Sequence, residues 1–371
     1  MNPNTRIDKI SLINFKNHSN TNLKNLGTFV VLNGNNGSGK TNILEAISLF
    51  SPGRGIKNSR FIEIPNKYQN QKSFEIKINV EYESGVIELY RSFSYEEKNK
   101  NFISADNEKI NNFQLLEFIN ILWITPIMEK IMLQSNSEKR NFFDRLIFNI
   151  NKDHLKNYSK LQKLLSERLA ILKTLSYDTE WLNIVERKIS NLSIQLLIDR
   201  ESFVNQLNQD LKSVKIPFNA CQIDIQHELS RLGGINNSED LIEKYIIALY
   251  KNREVDAASN KTSLTVNKVS IKIFNNAEKM IEARNCSTGE QKSILFSIFL
   301  SVAGMVKEKN NNRAPIILID EAMAHFDNDH KEFLFSELLD LKSQVWLSGV
   351  SKDLFVNIND QTVFFDMKNI I

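Results

Sequence analysis

Eight consecutive residues, Gly34-Asn35-Asn36-Gly37-Ser38-Gly39-Lys40-Thr41, combine the groups that a phosphate grip needs. Glycines let the backbone curl until successive N–H groups converge on phosphate oxygens, and a helix starting directly behind them adds its positive partial charge. Lys40 is placed to neutralise β- and γ-phosphate oxygens, and the Thr41 hydroxyl to hold Mg²⁺. The run fits G-x-x-x-x-G-K-[ST], the P-loop pattern, so all eight residues are expected to bind a nucleotide, taken as ATP. Far along the chain, "APIILIDEAMAHFD" supplies a second set of groups. Asp320 can complete the Mg²⁺ shell with Thr41, while Glu321 can orient and deprotonate a water facing the γ-phosphate. Glu321 and Lys40 are therefore the catalytic candidates, and Thr41 and Asp320 the metal ligands. Between these segments, "CSTGEQKSILFSIFL" opens a helical run at Ser287-Thr288-Gly289. A serine hydroxyl, a close-approach glycine and Glu290 suit either an ordinary N-cap or a further anion site.

These residues need elements to position them. Thr28 to Leu32 is a short apolar, β-branched run that predicts a strand entering the glycine loop. Ile43, Leu44, Ile47 and Phe50 have the spacing of a helix leaving it. Ile316 to Ile319 are continuously apolar, as expected of a central parallel strand, which puts Asp320 at its C-terminal edge. Alternation at Phe74, Ile76, Ile78, Val80 and Tyr82, followed by Ser84-Gly85 and a second run to Phe93, predicts a hairpin. From about residue 126 to 213 the spacing becomes helical. Leu155, Tyr158, Leu161, Leu165, Leu169, Leu172 and Leu175 form one stripe; Trp181, Ile184, Val185, Ile189 and Leu192 begin another after Asp178-Thr179, which predicts two antiparallel helices. A strand-like stretch at Ala220–Ile225, a helix at Ser238–Lys251 and an alternating stretch from Leu264 to Phe274 follow.

Composition sets the bounds. A chain of 371 residues with 42% hydrophobic and 25% charged residues is ordinary for a globular protein of two or three compact units. No apolar run approaches the roughly 18 residues of a membrane span, and "MNPNTRIDKI" is no signal peptide, so a cytoplasmic protein without membrane contact is expected. Cys221 and Cys286 show neither disulfide nor zinc spacing. His325 and His330 flank Asp327, but with no matching ligands nearby a metal site is not expected there. The formal charge of +3 decides nothing about nucleic acid, since clustering on one face is what counts.

"CSTGEQK" resembles the signature motif of ABC-type ATPases, which in that superfamily reaches across a dimer to the γ-phosphate held by the partner's P-loop. Asp327 in "AHFD" resembles the aspartate of the D-loop at the same interface. The order P-loop, insert, signature, Asp-Glu strand is the ABC order. More closely, "LINFKNHSN", "NGNNGSGKTNILEAISLFSPGRG", "WITPIMEKIMLQSNSEKRNFFDRLI", "CSTGEQK" and "LIDEAMAHFD" resemble the RecF family of bacterial DNA replication and repair ATPases, from end to end of the chain. The resemblance implies an α/β fold: an ABC-type ATPase head, with a mixed sheet and an antiparallel subdomain, from residues 1–122 and 264–371, and an inserted α-helical lobe at 123–263. It also implies an ATP-dependent homodimer with ATP, Mg²⁺, Ser287, Gly289 and Asp327 at composite sites. Slow, DNA-stimulated hydrolysis is implied too, with binding to double-stranded and gapped DNA, and cooperation with the RecO and RecR mediators in recombinational repair and the SOS response.

The chain departs from that family in three places. Thr265-Val266-Asn267-Lys268 stands where a Gly-Pro-His-Arg-like motif is usual, Gln134 to Arg140 where a "GGPSERR"-like run is usual, and Leu347-Ser348-Gly349-Val350 offers no histidine at the switch region. Arg54, Lys57 and Arg60 behind the P-loop helix, and Lys139, Arg140 and Arg145 at the entry to the insert, are candidates for phosphate contact or simply solvated side chains. A regulatory or transporter-coupling ATPase that does not touch DNA is the alternative reading.

Overall fold

The computed structural model describes residues 3–96, 100–174, 176, 178–214, 217–276, 280–321, 326–350, 355 and 362–370. Leu175 and His325 of the sequence reading lie outside them. The chain forms two compact units, Met1–Lys130 with Ile216–Phe218 and Ile298–Ile371, and Ile131–Lys215 with Asn219–Ser297. Residues 264–297, grouped with the head on their α/β character, cluster with the second unit.

The first unit begins with β1 (Thr5–Phe15), β2 (His18–Lys24), β3 (Phe29–Asn33) and α1 (Lys40–Ser48). Next come β4 (Ser73–Tyr82), β5 (Gly85–Ser94), β6 (Lys100–Ala105), β7 (Glu108–Lys109), α2 (Leu115–Phe118) and β8 (Ile121–Ile124). The second unit holds α3 (Asn136–Ile150), α4 (Lys152–Leu172), α5 (Thr179–Asp210), β9 (Cys221–His227), α6 (Ser238–Lys251), α7 (Arg253–Ser259), β10 (Val269–Asn275) and β11 (Ile281–Glu282). After α8 (Thr288–Lys309), the chain completes the first unit with β12 (Ile316–Asp320), α9 (Asn328–Asp340), β13 (Val345–Gly349) and β14 (Thr362–Asp366).

Two sheets make up the first unit. One is antiparallel, in the order β2-β1-β4-β5-β6-β7; the β4–β5 hairpin turns where Ser84-Gly85 requires it, with Gly85 at φ +141°. The other is parallel, in the order β14-β3-β13-β12-β8. Every residue of β3, β12 and β13 is buried, as the continuous apolar runs demand of strands covered on both faces. Gln344 clamps the parallel sheet to β1: its Oε1 accepts from the Ile7 N–H at 2.8 Å and its Nε2 donates to the Ile7 carbonyl at 2.9 Å.

In the second unit His154 of α4 bonds Asp199 of α5, and Arg168 of α4 bonds Glu186 of α5, so the two helices run antiparallel as expected. The seam differs in composition from the leucine stripe. The most buried positions of α4 are His154, Leu161, Arg168 and Leu172, while Leu155, Leu165 and Leu169 are only half-buried. Charge can enter this interface because it is paired there. Arg168 donates to Glu186 (3.0 Å), Asp256 (2.7 Å) and the Leu249 carbonyl (2.9 Å), and Arg200 meets Asp144 through two bonds of 2.8 Å. Around these pairs Leu161, Val185, Ile189, Leu197, Leu241 and Leu249 close the apolar core. Strand β10 begins at Val269 rather than at Leu264, because the Lys268 N–H turns back to the Thr265 carbonyl at 3.0 Å.

Candidate nucleotide site

The P-loop runs from the end of β3 into α1, as the strand-loop-helix reading requires. Gly37 and Gly39 take φ of +82° and +89°, which side-chain-bearing residues rarely adopt. Gly39 is also a position of close approach: a Cβ there would lie 2.7 Å from Asn17 Nδ2 and 2.8 Å from His18 Nε2. His18 is buried and reaches the Gly39 carbonyl at 3.2 Å through Nε2 and Thr21 at 2.9 Å through Nδ1; burial lowers its pKa. Asn17 bonds Asn42 in the first turn of α1 at 2.7 Å.

Lys40, the first residue of α1, is 3% exposed, and its ammonium is turned onto the loop itself, donating to the carbonyls of Gly34 (2.7 Å) and Asn35 (3.0 Å). Its Nζ also lies 3.8 Å from Glu321 Oε1. Inside the loop Ser38 Oγ is buried without a hydrogen-bond partner among the described residues. A buried hydroxyl left open beside a buried lysine and left-handed glycines is a cradle short of one anionic ligand.

The C-terminal ends of three parallel strands converge on this loop. At the end of β12, Asp320 Oδ1 accepts from the Thr41 hydroxyl (2.9 Å) and from the Ser348 hydroxyl of β13 (2.7 Å). Ser348 Oγ in turn accepts the Glu321 N–H at 2.9 Å, and the Gly34 N–H donates to the Gly349 carbonyl at 3.3 Å. Glu321 sits at φ +50°, a left-handed conformation costing a non-glycine residue about 1 kcal/mol, and its side chain is 42% exposed. Thr41 and Asp320 thus bring two hard oxygen donors together, the type of set that suits Mg²⁺. Four of the expected residues, Lys40, Thr41, Asp320 and Glu321, gather at one place. Asn35, Asn36 and Gly37 are exposed at the loop's rim.

Ser287 caps α8 through a reciprocal box: its Oγ accepts the Glu290 N–H at 3.3 Å, and Glu290 Oε2 accepts the Ser287 N–H at 2.8 Å and hydroxyl at 2.7 Å. Those bonds hold the Glu290 carboxyl below the usual range. Ser287 and Gly289 are exposed, and a Cβ on Gly289 would meet nothing within 4 Å. Asp327, also exposed, caps α9 by accepting the His330 N–H (2.9 Å) and facing its Nδ1 (2.7 Å), which lowers the Asp327 pKa. The His330 ring stacks on Phe326.

The basic candidates divide. Arg54 is exposed, whereas Lys57 leans on Asn42 and Glu45, and Arg60 pairs with Glu63. Lys139 is buried and donates to the Ile271 carbonyl, and Arg140 to the Asn267 carbonyl. Arg145 lies over the Phe142 ring, and burial pushes it down to about 10. Sequence reasoning missed His18 and Asn17, which brace Gly39, and the bridging role of Ser348. The only signal for them was their place in "LINFKNHSN" and in the switch segment.

The family model described as "AAA domain, putative AbiEii toxin, Type IV TA system" matches residues 29–344. The chain is 31% identical over 350 residues to the "DNA replication and repair protein RecF" of Rickettsia prowazekii (strain Madrid E), covering 94% of this chain and 96% of that protein. It is 32% identical over 339 residues to the protein of the same name from Rickettsia bellii (strain OSU 85-389), covering 91% and 92%. Among solved structures it superposes on the recombination mediator protein RecF-ATPrS of the RecFOR pathway with a TM-score of 0.83 at 20% identity, over 99% of this chain and 97% of that one. On the Smc head domain with an extended coiled coil from Pyrococcus furiosus the TM-score is 0.54 at 17% identity, over 98% and 94%. These two likenesses show the fold, an ABC-type ATPase head.

Proposed function

This chain belongs to the RecF family of DNA replication and repair proteins and is a P-loop ATPase, and from that premise we propose that it is an ATP-gated homodimer acting on gapped or stalled-fork DNA. The observation that carries the nucleotide half is the cluster of Lys40, Thr41, Asp320 and Ser348 at the ends of β3, β12 and β13, beside the open Ser38 hydroxyl. Residues 34–41 bind the triphosphate. Lys40 leaves the loop carbonyls for the β- and γ-oxygens, a transfer that keeps its charge satisfied in both states. Thr41 and Asp320 hold Mg²⁺, which supplies charge neutralisation across the phosphates. Glu321, exposed and turned out by its left-handed backbone, orients and deprotonates the attacking water.

The other half of the site comes from a second copy. We assign to that contact the exposed Ser287, whose hydroxyl can turn from Glu290 to the γ-phosphate on a partner's P-loop, together with the exposed Gly289 and Asp327. ATP then closes the dimer by bridging two molecules, and slow hydrolysis, stimulated by DNA, releases it. The closed dimer binds duplex next to single-stranded gaps and, with partners equivalent to RecO and RecR, assists recombinase loading. Its place of work is the cytoplasm; no helix among the described residues is long and apolar enough to cross a membrane.

Sedimentation of Glu321→Gln with ATP and Mg²⁺ tests the dimer: the variant should sediment as two copies, and a monomer at saturating nucleotide would refute it. Lys40→Ala should lose nucleotide binding, whereas Ser287→Arg should keep binding and lose dimerisation. Gapped-duplex binding with and without ATP tests the DNA half, with an affinity that falls steeply as salt rises.

A further inference from the structure

In the second unit a groove of about 540 Å³ runs between the antiparallel helices α4 and α5. Its apolar lining is Leu164 of α4 and Leu192 of α5, both half-buried and packed against the core of this unit. The apolar surface continues toward the start of α5. Trp181 and Ile184 are 45% and 46% exposed and stand seven and four residues before Lys188, on the same side of the helix. The Lys188 ammonium lies 5.8 Å from the centre of the Trp181 ring, which ties that surface to the groove.

Around the leucines the charge is one-sided. Lys160, Lys163 and Lys188 line the groove against a single acid, Glu167, so the four charges sum to two positive. On α4 the lysines at 156, 160 and 163 follow at intervals of four and three, a spacing at which like charges repel. Lys156 is answered by Asp153 at 3.3 Å. Lys160, Lys163 and Lys188 take part in no ion pair among the described residues, and no carboxylate stands three or four residues from Lys160 or Lys188. A helix surface that gathers unanswered lysines beside exposed apolar side chains gains nothing from either while it is alone. A channel between two helices is the shape that a third helix fills, its apolar stripe entering between their ridges. Lysines on both rims then meet carboxylates flanking that stripe. A leucine floor offers no donor to a phosphate backbone, which argues against nucleic acid as the occupant.

We propose that the groove between α4 and α5 docks an amphipathic helix of a partner protein, one whose apolar stripe is flanked by glutamates or aspartates. The surface belongs to the second unit alone and rests neither on the nucleotide site nor on dimerisation.

The probe is a synthetic, helix-constrained peptide with leucines at i, i+4, i+7 and i+11 and glutamates on both flanks. It is labelled at one end and titrated with the full-length protein in the absence of nucleotide, with fluorescence anisotropy as the readout. Saturable binding is expected. It should weaken roughly tenfold or more in Lys160→Glu/Lys163→Glu/Lys188→Glu, and recover when that triple variant meets a peptide carrying lysines in place of the glutamates. All three positions are exposed, so the variant should keep the circular dichroism of the wild type. No saturation below about 1 mM, equal binding of a peptide with glutamine in place of leucine, or binding indifferent to the three reversals overturns the proposal. Two further results would also overturn it by naming another occupant. If the reversals remove duplex-DNA binding and leave peptide binding unchanged, the groove is a nucleic-acid surface. If they abolish a nucleotide-free self-association seen by sedimentation and leave peptide binding unchanged, it is an interface between copies of this chain. The peptide assay contains neither ATP nor DNA, so its failure is distinct from failure of the proposed function.

Discussion

Replacing Ser348 by alanine removes one hydroxyl that serves two neighbours. It donates to Asp320 Oδ1 at 2.7 Å and accepts the Glu321 N–H at 2.9 Å, at a side chain 1% exposed. Losing a hydrogen bond to a charged group costs about 1.5–3 kcal/mol, and leaving an amide unpaired in a buried place about 1–3 kcal/mol. The two losses together come to roughly 3 kcal/mol of stability. Urea unfolding of Ser348→Ala, followed through Trp346 fluorescence two residues away and fully buried in β13, reads the first unit where the loss occurs. Ser348→Cys, which keeps the shape but donates weakly, should fall between wild type and alanine. The functional consequence is separable. Asp320 keeps its Thr41 bond but loses its second fixed point, and Glu321 loses the contact that anchors its left-handed backbone. Displacements of about 1 Å at such positions can cost on the order of 10²-fold in rate. Single-turnover hydrolysis at saturating ATP and Mg²⁺ should fall by that order while nucleotide affinity changes far less. A stability change under about 0.5 kcal/mol, within the scatter of surface substitutions, together with unaltered single-turnover hydrolysis, would refute the bridging role.

Gly39→Ala forces a methyl group into Asn17 and His18 at 2.7–2.8 Å and a left-handed φ; it should cost more than about 1 kcal/mol and weaken ATP binding, and an unchanged calorimetric affinity would contradict the close packing. Arg168→Met leaves Asp256 buried without its arginine, while Glu186 keeps Arg253 at 2.6 Å, so chemical denaturation should show a loss of about 3 kcal/mol, far above the cost of an exposed pair such as Lys244–Asp240. His227 gives the chain an acid-sensitive step. Its folded pKa of about 3 lies below the unfolded value, so above about pH 6.5 both states are neutral; as pH falls toward 3 only the unfolded state takes up the proton. About 2 kcal/mol should be lost by pH 5, and His227→Gln should lack that loss. His154, held above its usual pKa by Asp144 and Asp199 despite burial, works in the opposite sense.

The parts of this protein that are legible in its sequence are those whose physics is local. The P-loop, the buried run of β12, the β4–β5 hairpin and α6 from Ser238 to Lys251 each carry their own period or backbone demand within a few residues. What escaped is what only the fold assembles. His154, Leu161 and Arg168 recur every seven residues on α4, yet a histidine and an arginine do not read as core until Asp199, Glu186 and Asp256 are seen opposite them. The ordering β14-β3-β13-β12-β8 is equally silent in sequence, because no strand encodes its neighbour.

That ordering changes the meaning of the missing switch histidine. β13 lies between β3 and β12, so its last residues fall between the phosphate loop and Asp320 whatever side chain they carry. In Ser348 the position carries a hydroxyl too short to extend as far as a histidine, but able to fix the carboxylate and the following backbone N–H together. With these two bonds the strand end holds Asp320 and Glu321 in place. On that reasoning Ser348→His should gain no activity. An imidazole placed in a site 1% exposed would break both bonds and cost stability, and nucleotide turnover at or above the wild-type rate in that variant would show the holding role to be wrong.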